Sequence, residues 1–167
     1  LSTSISDRKV FDFFGRPHPQ KNNFQSFLRF CHLFRQHGFT GLIHFDKQTI
    51  RSLNPSTSQE LKLAVSQGLV KLVIYDDLVG NRWFDAISSL NCLVSFSNGS
   101  YFSSTLGCSN RVRECLLMGI PIITDPDSVF ELCIQGSDPL ALVQPPFTSL
   151  SPSQLLENMN SKLTAQH

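Results

Sequence analysis

The chain has 167 residues, 41% hydrophobic and 16% charged, a composition that builds one domain with a full core and excludes a disordered chain. A formal net charge of +1 leaves no electrostatic footprint for general nucleic-acid binding. No apolar run approaches the ~20 residues of a membrane span, and no basic segment followed by an apolar one marks a signal peptide.

Residues 1–8 are polar and serine-rich and read as a linker or frayed end, leaving 9–167 as a single domain. The chain starts at Leu1 without a Met, so a piece of something longer is expected. Lys9 to Phe14 is an apolar strand through Val10, Phe11, Phe13 and Phe14, broken by Gly15. A loop follows from Gly15 to Asn22, in which Pro17 and Pro19 forbid regular structure. Asn22 or Asn23 then caps a helix to His37. Phe24, Phe27, Leu28, Cys31 and Phe34 fall on one face of it, and Gly38 ends it.

Gly41 to Phe45 is a second strand. Thr57-Ser58-Gln59-Glu60 reads as a capping box that opens a helix through Leu61, Ala64 and Val65 to Gly68. Leu69 to Tyr75 is a third strand, ending in Asp76-Asp77. Asn81 to Leu90 predicts a helix with Trp83, Phe84 and Ile87 inward, and Cys92 to Phe96 a fourth strand. The segment from Ser97 to Ser109 is a long loop of Gly, Ser, Asn and Thr.

A short helix follows, capped by Ser109 or Asn110 and stopped by Gly119 and Pro121, with Ile120 to Ile123 as a fifth strand. Ser128-Val129-Phe130-Glu131 is a further capping box, with a helix to Gly136. Ala141 to Val143 is a last strand, and Ser151-Pro152 starts a terminal helix. Strands alternate with helices throughout. That alternation predicts an α/β fold: an open, mostly parallel Rossmann-like sheet of about six strands with helices on both faces. Ligands of such sheets bind at the carboxyl ends of the strands. The Gly15–Asn22 loop, the 97–109 loop and the Asn110 helix start all belong to that edge.

The chemistry is concentrated there. A helix N-terminus presents free N–H groups and a partial positive charge, which suits an anion. Arg111 and Arg113 add full charges, and Glu114, one turn in, can offer two acceptor oxygens to hydroxyl groups such as those of a ribose. The same residues also fit an ordinary capped helix in which Glu114 pairs with Arg111 at i,i−3. Arg16 and Lys21, on the proline-held loop, suit a diphosphate, whose charge needs more than one partner; two solvated surface charges are the plainer alternative. Asp76-Asp77 and Asp125-Pro126-Asp127 are the acidic pairs that could hold a divalent cation. The second pair precedes the Ser128 cap, where negative charge is favourable anyway. His18 can reach a ligand from the same loop as Arg16, whereas His32, His37 and His44 fall inside helix or strand patterns and read as structural. The five cysteines (Cys31, Cys92, Cys108, Cys115, Cys133) have no C-x-x-C spacing and read as reduced thiols of a cytoplasmic protein.

Gly15-Arg16 followed by Lys21-Asn22 resembles the Gly-Arg…Lys-Asn loop of glycosyltransferases with the GT-B architecture. Phe84 to Ser97 is similar to their segment ending in Pro-Ser. Arg113 to Asp125, with Glu114, Gly119, Pro121 and Thr124, resembles their Glu-Ala…Gly-x-Pro-Val-Ile stretch, and Glu131 falls where that family has a further Glu. The matches run in order across about residues 9–145. The resemblance implies the C-terminal, donor-binding half of a group 1, retaining-type enzyme that uses a nucleoside diphosphate sugar such as a UDP or GDP sugar. It further implies a separate N-terminal acceptor domain and no cofactor or metal beyond the donor. Carried over, Arg16, Lys21, Ser109, Asn110 and Arg111 hold the donor diphosphate and Glu114 the ribose. One departure stands out. Retaining members carry a Glu eight positions before the one matching Glu114, and Leu106 stands there. The alternative is therefore a non-catalytic interaction module on the same fold. A phosphoacceptor domain built on Asp76-Asp77 is set aside, because its acidic pair belongs after the first strand.

Overall fold

Short apolar runs bounded by glycines and polar turns become strands, and the order in which they pair decides where a ligand can sit. The computed structural model describes residues 9–19, 22–97, 110–124, 141–142, 151, 153 and 157. Its strands are β1 (Val10–Phe14), β2 (Thr40–Asp46), β3 (Val70–Tyr75), β4 (Leu93–Ser95), β5 (Ile122–Thr124) and, at the edge, the two-residue β6 (Ala141–Leu142). They pair in the order β3-β2-β1-β4-β5-β6, and every pairing is parallel. The order runs outward from β1 in one direction and from β4 in the other. The carboxyl ends of these two neighbours therefore flank the crevice in which an open α/β sheet binds its ligand.

The helices among the described residues are α1 (Phe24–Phe34), α2 (Lys47–Ser52), α3 (Pro55–Ser66), α4 (Asn81–Ser88) and α5 (Asn110–Leu117). Asn23 caps α1, its Oδ1 accepting from the Ser26 N–H at 2.9 Å. After a 3-10 turn at Arg35–His37, Gly38 closes α1 with φ +82°, a left-handed conformation that suits glycine. The helix starts differ from the sequence expectation in part. The helix expected at the Thr57 box starts earlier, because Asn54 accepts from the Thr57 N–H at 2.8 Å and Pro55 takes the first helical position. α2 was not expected; Asp46 ends β2 and caps this helix at once, accepting from the Thr49 N–H at 2.6 Å. Asn110 is the first residue of α5, and Ser109, the other cap candidate, lies outside the described residues. The 1–8 linker and the 128–136 helix lie outside the described residues, and of the terminal helix Ser153 and Glu157 are helical.

Strand alternation divides the interior into two layers. Phe11, Phe13, Ile43, Phe45, Val94 and Ile123 face α1 and α3, where Phe24, Phe27, Phe30, Phe34, Phe39 and Phe96 join them. Nine of the chain's 14 phenylalanines fill this layer, with Phe11 stacked on Phe39 at 4.5 Å. The opposite layer is smaller: Phe14, Leu93 and Ile122 meet Ala86, Ile87 and Leu90 of the α4 region and Val112 and Cys115 of α5. Trp83 is half-buried at its margin, whereas Phe84 is 49% exposed. The inward face of α4 is Trp83, Ala86 and Ile87, continued by Leu90 just past its end, so the expectation holds for Trp83 and Ile87 and fails for Phe84.

Gly41 in β2 marks the closest approach of the α1 layer. A Cβ there would lie 2.7 Å from the Cys31 sulfur and 2.8 Å from Val70 Cγ1. Gly41→Ala should cost about 1–3 kcal/mol through overpacking, read from the urea midpoint; an unchanged midpoint would show that α1 can retreat.

Candidate functional site

β1 ends at Phe14, and Gly15 turns the chain with φ +90°, a conformation L side chains rarely adopt. A Cβ at Gly15 would also stand 3.1 Å from Nη1 of Arg111, so the first loop and the start of α5 approach each other at this residue. Arg111 Nη1 donates to the Phe14 carbonyl at 3.3 Å, which ties α5 to the end of β1.

Asn22 holds the loop itself. Fully buried, it donates from Nδ2 to the carbonyls of Phe14 (3.3 Å) and Arg16 (3.2 Å), and its backbone forms a two-way bridge with His18 at 3.0 Å each way. Asn23 adds a bond to the Pro19 carbonyl at 3.1 Å. Sequence reasoning left the cap open between Asn22 and Asn23. Asn23 is the cap, and Asn22 is the pin that shapes the loop.

A cavity of about 390 Å³ opens between this loop and α5. Gly15, Arg16, Pro17 and His18 form one wall, Asp46 and Thr49 another, and Leu78, Trp83 and Arg111 the third, with His44 also lining it. A second cavity of about 290 Å³ lies between the same loop and the starts of α1 and α3, so Arg16 and His18 stand between two spaces. Arg16 is exposed. Burial pushes the half-buried Arg111 guanidinium down to about 10, which leaves it charged at neutral pH. Glu114 is engaged by an aromatic donor: the Trp83 indole N–H donates to its Oε2 at 2.5 Å. Asp46 is the acid in the wall, and its carboxylate is taken up by the α2 cap.

The structure thus brings Arg16 and Arg111 to one cavity, with Glu114 attached to its wall through Trp83. Asn110 is exposed at the start of α5. Lys21, Ser109, Leu106, Asp125, Asp127 and Glu131 lie outside the described residues. The other acidic pair has cationic partners: Lys47 Nζ lies 2.5 Å from Asp76 and Arg82 Nη1 2.6 Å from Asp77. The hydrogen bond and charge of Lys47 hold Asp76 below its usual range. Among the described residues no three His, Cys, Asp or Glu side chains come together as a metal site. Cys31, Cys92 and Cys115 are buried free thiols, each pushed up first by burial, Cys115 to about 12, which leaves none a ready nucleophile.

One feature under the cavity was missed in the sequence. Asp12, fully buried in β1, accepts from the backbone N–H groups of Asn91 (2.6 Å) and Cys92 (2.9 Å) on Oδ2, and from His44 Nε2 (2.8 Å) on Oδ1. A carboxylate only accepts, so Nε2 carries a proton, while Nδ1 on the other side of the ring shares a hydrogen bond with the Tyr75 hydroxyl at 2.9 Å. Burial raises the Tyr75 pKa, which keeps that hydroxyl protonated. The available signal was a lone aspartate inside the apolar run Val10-Phe11-Asp12-Phe13-Phe14.

No family model matches the chain, and no curated protein matches it. Among solved structures it is similar to AviGT4, a glycosyltransferase involved in avilamycin A biosynthesis, with a TM-score of 0.59 and 15% identity. The fold is glycosyltransferase-like. The match covers 94% of this chain and 44% of that chain. In this glycosyltransferase-like fold no helix among the described residues is long and apolar enough to cross a membrane.

Proposed function

We propose that the chain is the donor-binding half of a GT-B glycosyltransferase of the retaining, group 1 type, binding a nucleoside diphosphate sugar. The observation that carries this reading is the cavity of about 390 Å³ at the carboxyl edge of the sheet, with Arg16 and Arg111 in its walls. In this reading Arg16, Lys21 and Arg111, with the N–H groups around Ser109 and Asn110, receive the diphosphate, and Glu114 receives the ribose. As the bond between the anomeric carbon and the diphosphate oxygen breaks, negative charge grows on the leaving group. Preorganised cations and a helix N-terminus stabilise that charge without a metal. An N-terminal half would supply the acceptor and close the cleft.

Isothermal titration with UDP, GDP and the other nucleoside diphosphates tests it. The chain should bind at least one of them, and Glu114→Ala and Lys21→Ala should each weaken that binding roughly tenfold, the worth of one charge-assisted hydrogen bond. Both variants should melt with the parent chain. Unchanged affinity in both removes the reading. The second reading, a non-catalytic interaction module, is favoured by Leu106 in place of the expected Glu, and predicts no heat with any nucleotide.

A further inference from the structure

The Trp83 side chain has no place in the roles just given, yet it makes the hydrogen bond that fixes Glu114. Its indole N–H donates to Oε2 at 2.5 Å, and it lines the cavity. The ring is itself held: it packs edge-to-face on Phe14, centroids 4.8 Å apart at 65°, and Phe14 is fully buried. Glu114 is only half-buried, so water could satisfy its carboxylate without an indole. What the bond adds is orientation. A donor on a ring locked against the core removes the rotation that a half-exposed glutamate otherwise keeps, and commits one oxygen while leaving the other to accept.

We infer that Trp83 is a positioning residue, whose indole N–H holds Glu114 so that Oε1 meets a vicinal diol of the nucleotide sugar. The inference rests on the donor-binding reading. Trp83 sets how strongly the site prefers a ribose to a sugar without hydroxyls, and contributes little to the grip on the diphosphate, which belongs to the cations.

The test is titration of the chain and of Trp83→Phe with UDP and GDP and with their 2′,3′-dideoxy counterparts. The parent should prefer the ribonucleotide by about tenfold or more. In Trp83→Phe that preference should collapse toward unity while the affinity for the dideoxy nucleotide stays within about twofold. Trp83→His, which keeps a ring N–H, should regain part of the preference. Retained preference in Trp83→Phe overturns the inference, and so does an equal loss for both kinds of ligand, the mark of a merely structural ring. Trp83 is the sole tryptophan. Its emission in the parent protein should shift with the ribonucleotide and much less with the dideoxy form, a measurement that needs no folded variant; identical shifts also overturn it. A parent that binds none of the four sinks the donor-binding reading itself, whereas a ribose preference unaffected by Trp83→Phe sinks only this step.

Discussion

Asp12→Ala should destabilise the fold by about 3–5 kcal/mol, the cost of taking the shared acceptor out of a buried hydrogen-bond network. The carboxylate is fully shielded from solvent and receives three N–H groups, from Asn91, Cys92 and His44. Alanine takes the acceptor from all three, and a buried donor left without one costs about 1–3 kcal/mol. Asp12→Asn should recover only part of the loss, since its amide turns one acceptor oxygen into a donor that faces another donor. His44→Phe should cost less than Asp12→Ala, because Asp12 keeps its two backbone partners. In a double-mutant cycle the pair should be strongly non-additive. Urea midpoints with unchanged slopes would check this; a loss under 1 kcal/mol for Asp12→Ala would mean that water replaces the network.

That network explains where sequence reading stops. The strands were legible because β-branched and aromatic residues cluster in Val10–Phe14, Val70–Tyr75 and Ile122–Thr124, and the parallel sheet followed from their alternation with helices. The face of α1 was legible in most positions, although Phe30 joins it fully buried and Leu28 only partly. α2 was not legible, since six residues carry too little periodicity and Asp46 serves both the strand end and the cap. In the candidate site the loop cations and the α5 start were visible as residue types. The partnerships were not: Trp83 with Glu114 spans 31 positions, Asp12 with Cys92 spans 80, and Arg111 with Phe14 spans 97. Periodicity reports what a residue does within its own element. It carries no information about a hydrogen bond closed by the crossover of a sheet.

Arg111→Met should separate stability from binding. The guanidinium is pushed down to about 10 by burial, so the unliganded fold carries a cation that water would solvate better. Its hydrogen bond to the Phe14 carbonyl is long, 3.3 Å, and that carbonyl keeps the Asn22 amide as a second donor. Methionine fills a similar volume without the charge, and the melting temperature should hold or rise. Nucleoside diphosphate binding should weaken about 10- to 100-fold, as loss of a charge-assisted contact worth about 1.5–3 kcal/mol requires. The pH dependence has a definite sign. Above about 10 the native chain releases the Arg111 proton before the unfolded chain does, so the parent gains stability there as pH rises. The stability gap between Arg111→Met and the parent should therefore be widest below about pH 9 and narrow as pH rises above about 10. A variant that melts several degrees lower yet binds as tightly as the parent would make Arg111 a structural clamp between β1 and α5, with no part in holding the diphosphate.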